Sequence, residues 1–244
     1  MTFSSANPGA AVAVEFSSVS KQYGALRPLR IEALSLAADD RIALVGLDRP
    51  AAEVFVNLVT GASLPDAGTI RVFGRSTLEI VDSSDWLSTL DRFGILSDRA
   101  PLMDSLTIVQ NLAMPFTLEI EPPPADIREQ AIRLAAEAGL GPATWEQRIG
   151  ELDALARLRV RLARALALNP SIILFEHTSA TLPRSAVTPF GRELLAIVEA
   201  REAAAIALTM DQEFAGAIAT KTLTLDAASG RVAETRSSKF RFWS

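Results

Sequence analysis

The sequence predicts an α/β domain with a central, mostly parallel sheet, and three observations support this fold class. The apolar run 41–45 stops at Gly46 and is followed by a seven-residue polar turn and a helical pattern from Val54, which indicates a strand, a loop and a helix. The run 171–175 is apolar and rich in β-branched residues, as is typical of a buried parallel strand. The run 204–209 has the same character and is predicted to be the last core strand.

Composition restricts the class of protein. With 244 residues, of which 49% are apolar, the chain is long enough for one large domain or for a domain with an inserted subdomain. The net charge of −5 and the scattered basic residues argue against a nucleic-acid partner. The absence of cysteine excludes disulfides and thiolate metal sites. Since no apolar run is long enough to span a bilayer and no signal-peptide pattern is present, we expect any membrane association to come through a partner.

The remaining elements follow in order along the chain. Short β-like runs on either side of a turn at Tyr23 and Gly24 predict two antiparallel strands near the N-terminus. Further strands are predicted after the 41–61 unit and at 93–96. The predicted organisation is a flexible tail at 1–13, a single domain at 14–233 and a C-terminal tail at 234–244.

The 41–61 unit fits the frame of a phosphate-binding loop, G-x-x-x-x-G-K-[ST], beginning at Gly46. In such a loop, backbone N–H groups hold a triphosphate, the Lys neutralises charge and the hydroxyl holds Mg²⁺. Here Ala51 takes the place of the second Gly, Ala52 that of the Lys and Glu53 that of the hydroxyl. Because a methyl group cannot offset the charge of a triphosphate, we expect nucleotide affinity to be greatly reduced.

From about residue 14 to residue 232, the chain resembles the ATP-binding subunit of an ABC transporter, which is a P-loop NTPase of the ABC class. The Walker A, Q-loop, signature, Walker B and switch-His motifs can each be placed in order at the expected spacing, although each is degenerate. The resemblance implies a P-loop NTPase-like three-layer core with a mostly parallel sheet, an N-terminal antiparallel β portion and an inserted helical subdomain at about 98–163.

The resemblance also implies a vestigial nucleotide site. Tyr23 lies where the family keeps an aromatic residue that stacks on adenine, although a half-buried aromatic at a strand end is an equal alternative. Asp48 and Glu53 are predicted to interact with the helix N-terminus that would otherwise attract phosphate, so that the chain caps its own anion site. The predicted site comprises Tyr23, Gly46, Leu47, Asp48, Arg49, Ala51, Ala52, Glu53 and Val54.

None of the positions that are catalytic in the family keeps its residue. Ser97 replaces a Gln that reaches Mg²⁺ and the attacking water, and Met210 replaces the switch His. Glu176 and His177 stand where the family has Asp and Glu. Glu176 keeps a carboxylate, so metal binding there is weakened and not excluded, whereas a structural role for His177 is favoured over catalysis. No metal site is otherwise predicted.

The signature segment, which reads Leu-Ser-Gly-Gly-Gln in the family, is also substituted. Asp153 takes the place of the Ser that helps to grip a partner's γ-phosphate, and Ala154 and Leu155 replace the two Gly. Asp153 is predicted to cap the following helix, so the alternative interpretation is a capped, Arg-faced helix without a ligand. The degenerate segment is Leu152, Asp153, Ala154, Leu155 and Ala156.

Three functional hypotheses follow. The first is a pseudo-ATPase that docks as scaffold or regulator on a membrane-spanning ABC subunit, or pairs with an ABC subunit as a homodimer or heterodimer, with little or no ATP hydrolysis. The second is a weak ATPase that drives transport and has a lipid-related role, and the third is a soluble interaction module. No tightly bound cofactor is expected, and ATP with Mg²⁺ would bind only if some nucleotide function survives. The expected location is the cytoplasm, peripheral on the inner face of the membrane through a partner.

Overall fold

Two β-sheets organise the chain in the computed structural model, which describes residues 11–235. Four strands form an antiparallel sheet in the order β2-β1-β4-β5, and six form a second sheet in the order β10-β9-β3-β8-β7-β6. The strands are β1 Val12–Lys21, β2 Leu29–Ala37, β3 Arg41–Val45, β4 Ala67–Val72, β5 Arg75–Ser76, β6 Phe93–Leu96, β7 Ile172–Glu176, β8 Ala204–Thr209, β9 Lys221–Leu225 and β10 Val232–Glu234.

The antiparallel sheet confirms the predicted N-terminal β portion, with longer strands than the sequence indicated. β1 pairs with both β2 and β4. The tail predicted at 1–13 is wrong at its end, because Val12 and Ala13 already belong to β1. Ala13 is buried, and its carbonyl accepts a hydrogen bond of 2.7 Å from the N–H of Phe73. The rest of that predicted tail, 1–10, lies outside the described residues.

The six-stranded sheet confirms the prediction of a mostly parallel core. β6, β7, β8, β3 and β9 run parallel to their neighbours, and only the pairing of β10 with β9 is antiparallel. Every residue of β7 and β8 is buried, which explains why both runs read as continuous apolar segments. At the other predicted tail, Glu234 still belongs to β10, and 236–244 lie outside the described residues.

Helices cover both faces of this sheet, and one group of them lies between β6 and β7 in the chain. The fold class predicted from the sequence is therefore confirmed, whereas the bounds of the helical subdomain stay a prediction. Along 11–235, no helix is both long and apolar enough to cross a bilayer. The helices are α1 Arg49–Val59, α2 Ser83–Leu90, α3 Ile108–Ala113, α4 Ala125–Glu137, α5 Ala154–Ala165, α6 Arg184–Ala200 and α7 Gln212–Ile218.

Candidate functional site

The connection between β3 and α1 is much shorter than the sequence suggested. We expected a polar turn of seven residues after Gly46, but α1 begins at Arg49 and only 46–48 connect the two elements. Gly46 has φ +103°, and a Cβ there would lie 2.4 Å from the carbonyl oxygen of Leu225. Leu47 turns inward and is buried in the apolar core.

Asp48 explains why the helix starts so early. Its Oδ1 accepts a hydrogen bond of 2.9 Å from the N–H of Ala51, and its carbonyl accepts the N–H of Ala52, also at 2.9 Å. Pro50 lies in the same first turn and has no N–H to offer. Three of the positions that would present donors to a phosphate therefore offer none, because two N–H groups are engaged within the helix and Pro50 has no N–H.

The side chains in the first two turns of α1 differ in their surroundings. Ala52 has none of its surface exposed. It belongs to the apolar cluster in which α1 packs with residues of both sheets, and Ala51 is buried in the same cluster. Val54 is half-buried against the same cluster. Glu53 faces the other way, with 48% of its side chain exposed.

Arg99 joins α1 to the end of β7, and sequence reasoning missed it. Its Nη1 lies 3.1 Å from Oε1 of Glu53, while its Nε donates to Oε1 of Glu176 at 3.0 Å and its Nη2 donates to Oε2 at 2.6 Å. Glu176 is only 6% exposed, whereas Arg99 is 38% exposed. Burial lowers the pKa of Arg99, but the hydrogen bonds and charge of Glu176, with smaller contributions from Glu53 and Asp98, raise it above its usual value overall.

Ser97 and Arg49 position this ion-pair network. Ser97 is buried, and its hydroxyl accepts the backbone N–H of Arg99 at 3.2 Å, which orders the turn that carries the guanidinium. Nη1 of Arg49 lies 2.9 Å from Oδ2 of Asp98, with both side chains about half exposed. The predicted positions Arg49, Glu53, Ser97 and Glu176 thus come together around a residue that belongs to no motif. The only signal for Arg99 in the sequence is its place two residues after Ser97.

Tyr23 lies beside the β3–α1 connection, as predicted. It lines a small cavity of about 170 Å³ together with Gly46, Asp48, Ala51 and Met210. Burial, followed by the charge of Asp48, raises the pKa of the Tyr23 hydroxyl above its usual value. The structure therefore joins the N-terminal sheet to the predicted site through this aromatic side chain.

His177 and Met210 line a larger cleft of about 680 Å³ at the ends of β7 and β8, and Met210 also lines the Tyr23 cavity. His177 has φ +45°, and its Nε2 is buried without a hydrogen-bond partner in the described chain. Met210 is 61% exposed. Asp211 accepts hydrogen bonds from Ser179 and Arg184 in the same cleft. Within 11–235, no cluster of three or more His, Cys, Asp or Glu is arranged to hold a metal ion.

The signature positions form the start of α5. The predicted cap is confirmed, because Oδ1 of Asp153 accepts the N–H of Ala156 at 2.7 Å. Leu152, Leu155 and Ala156 are half-buried against the apolar core, while Ala154 is exposed. These residues lie apart from the Arg99 network within one chain.

Comparisons with known proteins connect the sequence and the fold to one class. No model of a protein family matches the sequence. The chain is 30% identical over 149 residues to the lipoprotein-releasing system ATP-binding protein LolD of Psychrobacter arcticus, which covers 61% of this chain and 66% of that protein. It is 28% identical over 223 residues to the sulfate/thiosulfate import ATP-binding protein CysA of Caulobacter vibrioides, which covers 88% of this chain and 62% of that protein.

Solved structures show the same fold. The dimeric ATP-binding cassette MJ0796, bound to ADP and Pi, superposes with a TM-score of 0.74 at 20% identity, over 91% of this chain and 97% of that one. The structure of cbiO1 from Clostridium perfringens, part of the ABC transporter complex cbiONQ, gives a TM-score of 0.76 at 14% identity, over 91% and 87% of the two chains. The chain is thus related in sequence and in fold to the ATP-binding subunits of ABC transporters, and it spans 66% or less of the length of the two curated relatives above.

Proposed function

We propose that this protein is a pseudo-ATPase of the ABC type, which acts as a scaffold or regulator and hydrolyses little or no ATP. The observation that carries the proposal is the position of Arg99. Its guanidinium bridges Glu53 on α1 and Glu176 at the end of β7. In the family that the chain resembles, these two positions face Mg²⁺ and the γ-phosphate. Here the guanidinium of Arg99 would supply the positive charge between them.

The surrounding residues do not fit a magnesium nucleotide. Both oxygens of Glu176 accept hydrogen bonds from Arg99, which leaves them poorly placed to order a metal shell. Ala52 has no exposed surface and its methyl group carries no charge, so it cannot neutralise a triphosphate. Lys21 and Lys221 pair with Asp66 and Asp40, away from the site.

The cavity beside Tyr23 supports the same interpretation. Its volume of about 170 Å³ is small beside the roughly 300 to 1,000 Å³ of typical small-molecule sites. The Tyr23 cavity is also the observation that favours the second candidate, a weak ATPase, because it retains an aromatic wall next to the β3–α1 connection. We place this candidate second because the groups that would face the phosphates already have partners within the chain. Asp48 accepts the N–H of Ala51, and Arg99 pairs with Glu53.

The start of α5, where the family has its signature segment, also supports the proposed loss of ATP binding. A family subunit uses its signature to contact the nucleotide held by its partner, but α5 begins here with the carboxylate of Asp153. Its charge would repel a γ-phosphate, and its acceptor oxygen already holds the N–H of Ala156. Neither half of a composite site is therefore equipped for ATP.

The partner that we propose is a membrane-spanning ABC subunit, with a second ABC subunit as an additional partner in a homodimer or heterodimer. The helices between β6 and β7 would provide the docking region, and the protein would lie in the cytoplasm on the inner face of the membrane. A lipid-related or lipoprotein-related role is consistent with the name of the Psychrobacter relative. A soluble interaction module, unattached to a transporter, is the remaining alternative.

Calorimetric titration of the purified chain with ATP and Mg²⁺ tests the proposal. We expect no saturable heat at nucleotide concentrations up to about 1 mM, which corresponds to binding weaker than about −4 kcal/mol. Tight, magnesium-dependent binding by the unmodified chain would contradict the proposal. Affinity purification from membranes, followed by identification of co-purified subunits, separates a transporter scaffold from a soluble module.

A matched pair of variants shows whether the side chains explain the outcome. The combined change Ala52→Lys, Glu53→Ser and Arg99→Ala replaces the internal cation with family-like groups, and we expect measurable ATP affinity if the variant folds. Arg133→Ala on the exposed face of α4 is the control and should leave the titration unchanged. If the triple variant folds but gains no ATP affinity, the short 46–48 connection, and not the side chains, prevents ATP binding.

A further inference from the structure

A further cavity lies away from the site described above. It has a volume of about 210 Å³ and is enclosed by β4, β5, the 3₁₀ turn Thr77–Glu79, α2 and the residue before β6. It shares no lining residue with the Tyr23 cavity. Its polar lining comprises Arg75, Ser76, Thr77, Asp85, Ser88, Thr89 and Arg92.

Arg92 brings a positive charge to this cavity without an acidic partner. Its guanidinium lies over the ring of Phe73, with 3.2 Å from Cζ to the ring centroid. Within residues 11–235, no carboxylate forms an ion pair with Arg92, whereas Arg75 pairs with Asp85 at 2.5 Å. Arg75 also lies 4.0 Å from Oε2 of Glu79, just outside the lining, so Arg92 is the charged lining residue that no ion pair within 11–235 neutralises.

Thr77 brings an unpaired hydroxyl to the same cavity. The residue is 2% exposed, and its Oγ1 is buried without a hydrogen-bond partner in the part of the chain that the structure describes. The hydroxyls of Ser88 and Thr89 both donate to the carbonyl of Asp85, so they are already engaged. A buried hydroxyl without a hydrogen-bond partner lowers the stability of the folded state. This favours a ligand that accepts a hydrogen bond from the hydroxyl.

We propose that this cavity binds a small oxyanion of phosphate size. Arg92 would donate charge-assisted hydrogen bonds to the oxyanion, and the hydroxyl of Thr77 would donate one more. The ionised carboxylate of Asp85 only accepts hydrogen bonds and is held by Arg75 and by the N–H of Val81, so it does not compete for the same donors. The guanidinium of Arg92, which forms no ion pair within 11–235, matches an anion and opposes a metal cation.

The oxyanion has two possible sources, a soluble phosphate and the headgroup of an anionic phospholipid. Large apolar side chains next to the lining residues in the chain are exposed, namely Leu78 at 54%, Val81 at 81% and Leu87 at 51%. Such residues beside a phosphate site are also suited to the interfacial region of a bilayer. The chemistry that the cavity recognises is the same in both cases.

Titration with inorganic phosphate at constant ionic strength tests the site. We expect the full chain to bind phosphate saturably in the millimolar range or tighter, measured by calorimetry and by a rise in melting temperature. Arg92→Gln should weaken binding about tenfold or more, and Thr77→Val about threefold to tenfold. Arg133→Gln removes one exposed Arg on α4 and should leave phosphate affinity unchanged.

Thr77→Val keeps the proposal testable if Arg92→Gln folds poorly. Valine has the shape of threonine and removes only the unpaired hydroxyl, so the variant should fold at least as well as the original chain. The proposal would be overturned if the original chain neither binds phosphate saturably nor floats with phosphatidic acid vesicles, or if whichever ligand binds does so equally strongly in both cavity variants.

Vesicles distinguish the source of the oxyanion. Flotation with phosphatidylcholine vesicles that contain phosphatidic acid, compared with phosphatidylcholine alone, tests the phospholipid. Flotation that depends on phosphatidic acid and is lost in Arg92→Gln supports the site with a lipid headgroup as ligand. Saturable, Arg92-dependent binding of free phosphate without flotation supports the site with a soluble ligand.

Discussion

The two polar regions of this molecule differ in how their charges are balanced. At the end of β7, the guanidinium of Arg99 satisfies both Glu176 and Glu53, and Asp48 occupies donors of α1. In the cavity beside α2, Arg92 and the hydroxyl of Thr77 have no such partners among the described residues. A region that satisfies its own polar groups has little to gain from a ligand, whereas unpaired groups favour one.

The largest effect that we expect comes from removing the internal cation. Arg99→Ala would leave the carboxylate of Glu176, which is 6% exposed, without its partner. We expect a loss of about 2 to 3 kcal/mol in the free energy of unfolding, below the value for a fully buried pair because Arg99 is 38% exposed. Urea unfolding measures this loss.

A double variant tests whether the charge of Glu176 is the cause. Combining Arg99→Ala with Glu176→Gln should recover most of the lost free energy, because no buried charge then stays unpaired. If the double variant is less stable than Arg99→Ala alone, packing of the arginine stem, and not charge, explains the effect.

The next largest effect concerns the unsatisfied hydroxyl. Thr77→Val should raise the free energy of unfolding by about 1 kcal/mol in phosphate-free buffer, since it removes a buried donor without a partner. Thr60→Val is the matched control, because the hydroxyl of Thr60 is buried but donates to the carbonyl of Val56 at 2.8 Å. Thermal unfolding should therefore move in opposite directions for the two variants, and a parallel loss would contradict the assignment of Thr77.

A smaller, pH-dependent effect is expected at Asp85. The hydrogen bond from Arg75 is the main reason that the pKa of this carboxyl lies below its usual value. A lowered pKa in the folded state adds stability above the unfolded value of about 3.9, and this stability is lost as pH falls through the folded value. Asp85→Asn should therefore lower the melting temperature at pH 7 and not at strongly acidic pH, whereas Asp39→Asn in an exposed turn should change little at either pH.

The smallest effect is expected at the exposed pair next to the network. Nη1 of Arg49 and Oδ2 of Asp98 are 2.9 Å apart, but both side chains are about half exposed. Arg49→Ala should cost about 0.5 kcal/mol or less, and the difference should disappear in 1 M salt. A loss as large as that of Arg99→Ala would mean that the whole network acts as one unit.

The core could be predicted from the sequence with few errors. The strands at 171–175 and 204–209 were recognised because parallel strands buried on both faces read as continuous apolar runs. The cap at Asp153 was also predicted, since a capping acid acts within one turn of its own helix. The early start of α1 was missed because the P-loop frame placed the helix after Glu53, whereas Asp48 caps it from Arg49.

The sequence by itself therefore determined the α/β fold and the cap at Asp153, because periodicity and caps are local properties. Only the tertiary structure decided that Arg99 lies between Glu53 and Glu176 and that Arg92 and Thr77 line one cavity. Arg99 is 46 residues from Glu53 and 77 from Glu176 in the sequence, and it belongs to no motif. The three side chains meet only because the fold brings the end of β7 next to α1 and the turn after β6. Electrostatic pairing depends on distance in space, which no local pattern encodes.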